Sequence, residues 1–413
     1  MPSIPPELCT RCKGYKRLCG LPTCPILDKF RWQVSTMANF RGRRVEGLTP
    51  PSALVGEAGY PQVRVYYMIP AARSEEEAAY HESPQEWARR REPLSAIIRL
   101  RSMMLAAGMR VPAKDPWLLY ETEVSLAAVS TRPVDSEALL KKQPIPRLVF
   151  NGVTKPVGPT APARKIIVEG SPSIPRALEK AISDDLRALD AVWELHRQGI
   201  DVYTIQRALS LGLIGSQKRR KIVPTRWAIT AVDDMVSQHL RRELRDRRES
   251  GEVRIYYREY LGNKFLVITM PGPGRFEWFE AWHPAGVWTM EARSPIYWKV
   301  YEDPRGRQTS SDGGFSAARM AVLEELAKRG EKADVVIVRE ILPSYYAPVG
   351  NWHIRETVKQ AMGSGPIAVN PTLKEVMELL KEKTGGSASY VKTHSLLLGL
   401  RRRARSLAEF FSL

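Results

Sequence analysis

All four cysteines of the chain lie in its first 24 residues, as Cys9-Thr-Arg-Cys12 and Cys19-Gly-Leu-Pro-Thr-Cys24. No other feature constrains folding as tightly. A stretch this short cannot bury a core, so binding an ion would itself supply its folding energy. A C-x2-C pair is the tight turn that sets two thiolates on one metal, and the C-x4-C pair completes a tetrahedral set. The expected cofactor is therefore one structural Zn²⁺ on Cys9, Cys12, Cys19 and Cys24. Four clustered thiolates also suit an iron–sulfur cluster. Two disulfides would need an oxidising compartment, and the chain opens with no apolar signal segment.

A length of 413 residues suits two or three core-forming units. Lys and Arg total 63 against 45 acids, a net charge of +18, which points to anionic partners, nucleic acid first among them. A ribosome-associated or RNA-binding zinc protein would carry the same excess. No run reaches the roughly eighteen apolar residues of a membrane span, so no membrane role is expected and the setting is cytoplasmic, beside the nucleoid.

The periodicity reads as α+β: an N-terminal four-cysteine zinc knuckle, a mixed helical body with an antiparallel β-meander, and a flexible C-terminal tail. Residues 1–40 hold the knuckle and a following helix. Residues 41–250 read as mainly helical and basic, with a buried strand at 63–69 and a Pro-rich loop at 141–175, around one short strand at 165–168, that is either a linker or the lining of a site. Helices are expected near 83–107, 115–130, 174–198, 202–211 and 230–248. Residues 251–395 read as the meander, with strands at 253–260, 265–270, 275–282 and 296–301, plus helices, and 396–413 as a basic tail.

Candidate chemistry clusters in three places. The run Lys218-Arg219-Arg220-Lys221 offers charge for phosphates, as do Arg241 and Arg242. The segment Pro224-Thr225-Arg226-Trp227 leads into Asp233 and Asp234 at a helix start. Arg226 could grip a phosphate, Trp227 stack on a base, and Asp233 or Asp234 hold a metal or activate water in a metal-dependent nuclease; the acids serve equally as caps or dipole partners. The aromatic strand from Phe276 to Trp282 reads as core. No Walker loop, H-E-x-x-H or G-x-S-x-G motif is present, so whether the protein is an enzyme stays open.

The chain ends on Ala404-Arg405-Ser406-Leu407-Ala408-Glu409-Phe410-Phe411. The spacing of Leu407, Phe410 and Phe411 is that of peptides that plug into the sliding clamp PCNA, with Ala404 where such peptides carry Gln. Four segments together resemble the archaeal Nre family of DNA repair proteins. They are Cys9-x2-Cys12-Lys13-Gly14 through Cys19-Gly20-x-Pro22-x-Cys24-Pro25, then Pro156 to Pro162, Pro224 to Ala231, and the tail. The resemblance implies a role in DNA-damage repair, a four-cysteine zinc site and recruitment through PCNA; it supplies no reaction.

Overall fold

A computed structural model describes residues 12, 16, 18, 24–40, 42–146, 158–289 and 291–399. Two compact units divide the chain. The first holds Thr23–Val236 with Ala347–Val349; the second holds Met1–Pro22, Ser237–Tyr346 and Gly350–Leu413. Among the described residues no helix is long and apolar enough to cross a membrane.

The first unit is built on strands β1 (Arg44–Thr49), β2 (Ala53–Val55), β3 (Gln62–Pro70), β4 (Met104–Pro112), β5 (Val134–Leu140) and β6 (Thr160–Val168). They form one sheet in the order β1-β5-β6-β4-β3-β2, antiparallel except where β4 and β6 run parallel. Residues 41–250, expected to be mainly helical, thus contain a six-stranded sheet. The segment 141–175 contributes its strand β6, which begins five residues earlier than the expected Lys165. The helix expected near 83–107 is two, Pro84–Arg90 and Leu94–Ser102. Arg91 ends the first in the left-handed region at φ 56°, and Pro93 forbids its continuation. The long helix Thr225–Leu244 follows its apolar period, with Ala228, Val232, Val236, Leu240 and Leu244 buried.

The second unit adds β7 (Arg248–Glu249), β8 (Arg254–Tyr260), β9 (Asn263–Met270), β10 (Phe276–Trp282), β11 (Ile296–Glu302), β12 (Glu331–Lys332), β13 (Asp334–Ile341) and β14 (Ala368–Val369). Its sheet runs β11-β10-β13-β9-β8-β14. This is not the expected meander, because β13 inserts between β9 and β10 and pairs parallel with β10. Every residue of β13 is buried, as suits a strand in a sheet interior with helices on either side. Phe315 of the helix Gly313–Arg329 packs on Trp278 from one face. Val376, Leu380 and Val391 of the last two helices meet Phe279, Val336 and Val338 on the other. The aromatics of β10 are core, as the sequence indicates: Phe276, Trp278 and Phe279 are buried.

A buried polar network crosses this sheet. Arg339 of β13 donates from Nη1 to Glu280 Oε1 at 2.5 Å and from Nε and Nη2 to Asn263 Oδ1 at 2.9 and 2.7 Å. Its Nη2 also lies 3.2 Å from His353 Nε2, and since a guanidinium can only donate, that nitrogen accepts. His353 is thereby neutral, with Nδ1–H donating to the Gly350 carbonyl at 2.7 Å. Burial, then the Arg339 charge, push its pKa down to about 3. Burial raises that of Glu280, against the pull of Arg339.

Candidate nucleic-acid interface

Strand β3 alternates. Val63, Val65, Tyr67 and Ile69 are fully buried on one face, while Arg64 and Tyr66 stand half-buried on the other. In the antiparallel pairing with β4, Arg64 lies directly opposite Arg110 and Tyr66 opposite Gly108. Like charges facing each other across a strand pair destabilise a sheet. The arrangement makes sense for a surface that meets an anion.

The next strand opens this surface into a groove. β4 and β6 pair only from Ala106–Gly108 to Thr160–Pro162; beyond that the strands part, with Met109, Arg110 and Val111 on one bank and Ala163 to Ile166 on the other. Pro162 sits where the pairing stops, the position in a ladder where a missing N–H does least harm. On its other edge β6 carries a bulge: Lys165 faces Leu139 and Ala163 faces Leu140, so Arg164 is the extra residue. The bulge breaks the in-out alternation, and Arg164 and Lys165 are both exposed between buried Ala163 and Ile166. Lys141 and Lys142, immediately after β5, complete the lining.

The groove has a volume of about 730 Å³ and six cations, Arg64, Arg110, Lys141, Lys142, Arg164 and Lys165; among the described residues no Asp or Glu lines it. Among the described residues none of the six pairs with a carboxylate. Unneutralised charge concentrated in a concavity focuses a positive potential. The floor is close-packed at Gly108, where a Cβ would sit 3.1 Å from the Tyr66 ring.

The candidates read from sequence divide sharply. Lys218, Arg219 and Lys221 are exposed, and their loop adjoins the chain leaving β4, since Ile222 N–H donates to the Ala113 carbonyl at 2.8 Å. They remain open to an anion. Arg220 does not: buried to 7% exposure, it donates to the carbonyls of Gly215, Ile182 and Asp184 at 2.8, 2.7 and 2.6 Å. It satisfies the end of the helix Arg176–Ser183 and has no free donor face for phosphate. Arg241 is likewise committed, ion-paired to buried Glu302, donating to the Gly274 carbonyl at 3.0 Å and lying over the Phe276 ring. Arg242 is exposed.

Arg226 and Trp227 are exposed in the first turn of the helix Thr225–Leu244, and Arg226 lies 3.7 Å from Glu57. Asp233 stands two turns further on, about 10 Å along the axis, fully buried and accepting from Gln206 Nε2 at 3.2 Å. Asp234 is half-buried on the neighbouring face. The structure therefore does not bring Arg226 and Asp233 to one solvent-facing point. Cys12 is buried and Cys24 precedes the helix Pro25–Asn39 as its N-cap; Cys9, Cys19 and the whole motif from Ala404 to Phe411 lie outside the described residues. Of the two readings of the Pro-rich segment the structure favours the lining of a site, since Lys141, Lys142, Ile145 and Thr160 to Ile166 line the groove, but the sequence does not reveal the strand opposite. A signal of the groove was present in β3, where Arg64 and Tyr66 alternate with buried residues, but Arg110 means nothing until Met104–Pro112 is seen as the neighbouring strand.

Fold and groove together define a basic, two-unit α+β protein whose open surface carries the charge to meet a polyanion. The sequence matches the family described as Archaeal Nre, N-terminal, over residues 18–289, and Archaeal Nre, C-terminal, over residues 302–410. It is 34% identical to the DNA repair protein NreA of Archaeoglobus fulgidus over 98% of both chains, and 32% identical to NreB of the same organism over 97% of this chain and 99% of that one. NreA of Haloferax volcanii is 33% identical over 84% of this chain and 85% of its own. The chain belongs to the archaeal Nre family. No solved structure matches it.

Proposed function

We propose that this protein acts in DNA-damage repair by holding DNA through the basic groove of its first unit. The observation that carries the reading is the set of six cations around one concavity that, among the described residues, no acid lines; Lys218, Arg219 and Lys221 are exposed besides. Relatives named DNA repair proteins, aligned along nearly the whole chain, support the biological setting. Phosphate contacts of this kind give affinity without sequence preference, which suits a protein that must act wherever damage falls. The C-terminal motif from Ala404 to Phe411 would tether the protein to PCNA, raising its local concentration on DNA without a tight individual contact. The thiolates of Cys9, Cys12, Cys19 and Cys24 would hold one Zn²⁺ as a closed structural site, since four sulfur ligands leave no open position for catalysis.

The test is charge reversal. Arg110→Glu combined with Lys165→Glu should abolish retention of DNA in a mobility-shift assay while the melting curve stays that of the native protein. Undiminished retention would refute the groove assignment.

A further inference from the structure

The groove is more than a basic trough, because its cations alternate with apolar surface that phosphates cannot use. Tyr66 lines it, half-buried, with its hydroxyl accepting from Arg64 Nη1 at 3.3 Å. The ring reaches across the bare backbone of Gly108, where any Cβ would press on ring atoms at 3.1 and 3.2 Å. The arginine thus steadies the ring and the glycine makes room for it. Two aliphatic side chains, Leu118 and Ile145, also line the groove although 40% and 61% of their surface is exposed. Aliphatic groups left open among six cations gain by being covered, and a duplex, which offers phosphates and sugars outward and keeps its bases stacked inside, would not cover them.

We propose, building on the assignment of the groove to DNA, that it takes an unpaired segment of single strand, with phosphates on Arg64, Arg110, Arg164 and Lys165 and a base against Tyr66 and the flanking Leu118 and Ile145. A volume of about 730 Å³ is that of a site for one small molecule, hence for one or two nucleotides and not a turn of duplex. The combination of a cationic bank with an aromatic floor is how proteins hold single strands irrespective of sequence, the ring accepting the face of any base. For a repair protein this substrate class is a gap, flap, displaced strand or extruded nucleotide, in which a base has already left its partner.

The experiment measures binding of the full-length protein by fluorescence anisotropy to three probes of equal length: oligothymidylate, a strand whose bases are replaced by abasic sites, and a duplex. Oligothymidylate should bind about 5- to 160-fold more tightly than the abasic strand, the range expected for one stacked base, and more tightly than the duplex. Tyr66→Leu should bring oligothymidylate down towards the abasic strand, whereas Tyr66→Phe, which keeps the ring, should hold most of the difference. Leu118→Ser with Ile145→Ser, both at exposed positions, gives an independent reduction if Tyr66→Leu disturbs the sheet. Equal affinity for base-bearing and abasic strands, or a preference for duplex, overturns the single-strand inference while leaving the groove as a phosphate site. Failure of the Arg110→Glu and Lys165→Glu protein to lose any probe overturns the groove itself.

Discussion

Replacing Arg64, Arg110, Arg164 and Lys165 together by Gln should flatten the salt dependence of DNA binding by a calculable amount. Each cation that neutralises a phosphate of a single strand contributes about 0.7 to the slope of log affinity against log salt. A groove that holds one or two nucleotides neutralises about two phosphates and contributes a slope of about −1.4, most of which the four-fold variant loses. Between about 50 and 200 mM salt the native groove then loses roughly 7-fold in affinity and the variant's groove little. The two proteins should differ most at low salt and converge as salt rises. Anisotropy titrations at a series of KCl concentrations read the slopes directly, and cations elsewhere, such as Lys218 and Arg219, add equally to both proteins and cancel in the difference. Stability supplies an internal control. Arg64 faces Arg110 across the strand pair, so neutralising both should leave the melting temperature unchanged or slightly raised. A variant that binds more weakly with an unaltered slope would refute the argument, because its loss would not then come from phosphate contacts.

Other perturbations address the rest of the chain. Arg220→Ala should destabilise the first unit by about 3 kcal/mol, since several buried carbonyls lose their donor together; a urea midpoint shifted by less than a third of that would contradict its structural role. His353 has its pKa depressed to about 3, so the unfolded chain takes up its proton first as pH falls. The stability this group contributes is complete above about pH 6.5 and declines towards pH 3, by up to about 1.4 kcal/mol per pH unit. Glu280, whose pKa burial raises, works in the opposite sense. His353→Gln should therefore remove a fall in stability across that window, and denaturant titrations at several pH values that show no change would refute it. Phe410→Ala with Phe411→Ala should eliminate binding to PCNA in a pull-down while DNA affinity stays native. Metal analysis should find one zinc per chain, and a Cys12→Ala protein that retains zinc would exclude that ligand.

The sequence displays its helices and the strands of the second unit well where one period dominates over a long span. Val232, Val236, Leu240 and Leu244 recur every four residues and are buried, and β9 begins two residues from its expected start. Misreadings arise where tertiary placement overrides local preference. Met104-Leu105-Ala106-Ala107 is helix-favouring by composition, yet it lies between β3 and β6 and becomes a buried strand. The six strands of the first unit are interleaved with glycine and proline, and β6 reads short, from Lys165 only, because Pro162 normally argues against a strand. The candidate residues show the same limit. Charge identifies which side chains could bind an anion, but Arg220 and Arg241 are as basic as Arg110 and spend that charge on carbonyls and Glu302 inside the protein. Only the neighbours that folding supplies separate the two uses.

The bulge in β6 has a consequence for how this surface can change over generations. Along a regular strand only every second side chain reaches the groove, so its charge can rise only by exchanging one residue type for another at those few positions. Arg164 is surplus to the ladder: with it removed, Lys165 still faces Leu139 and Ala163 still faces Leu140. A single codon gained or lost there alters the charge of the groove by one unit and leaves the pairing of every neighbour as it was. Relatives that tune their grip on DNA could do so through the length of this strand, and a deletion at Arg164 is the alignment feature by which a weaker-binding member would be recognised.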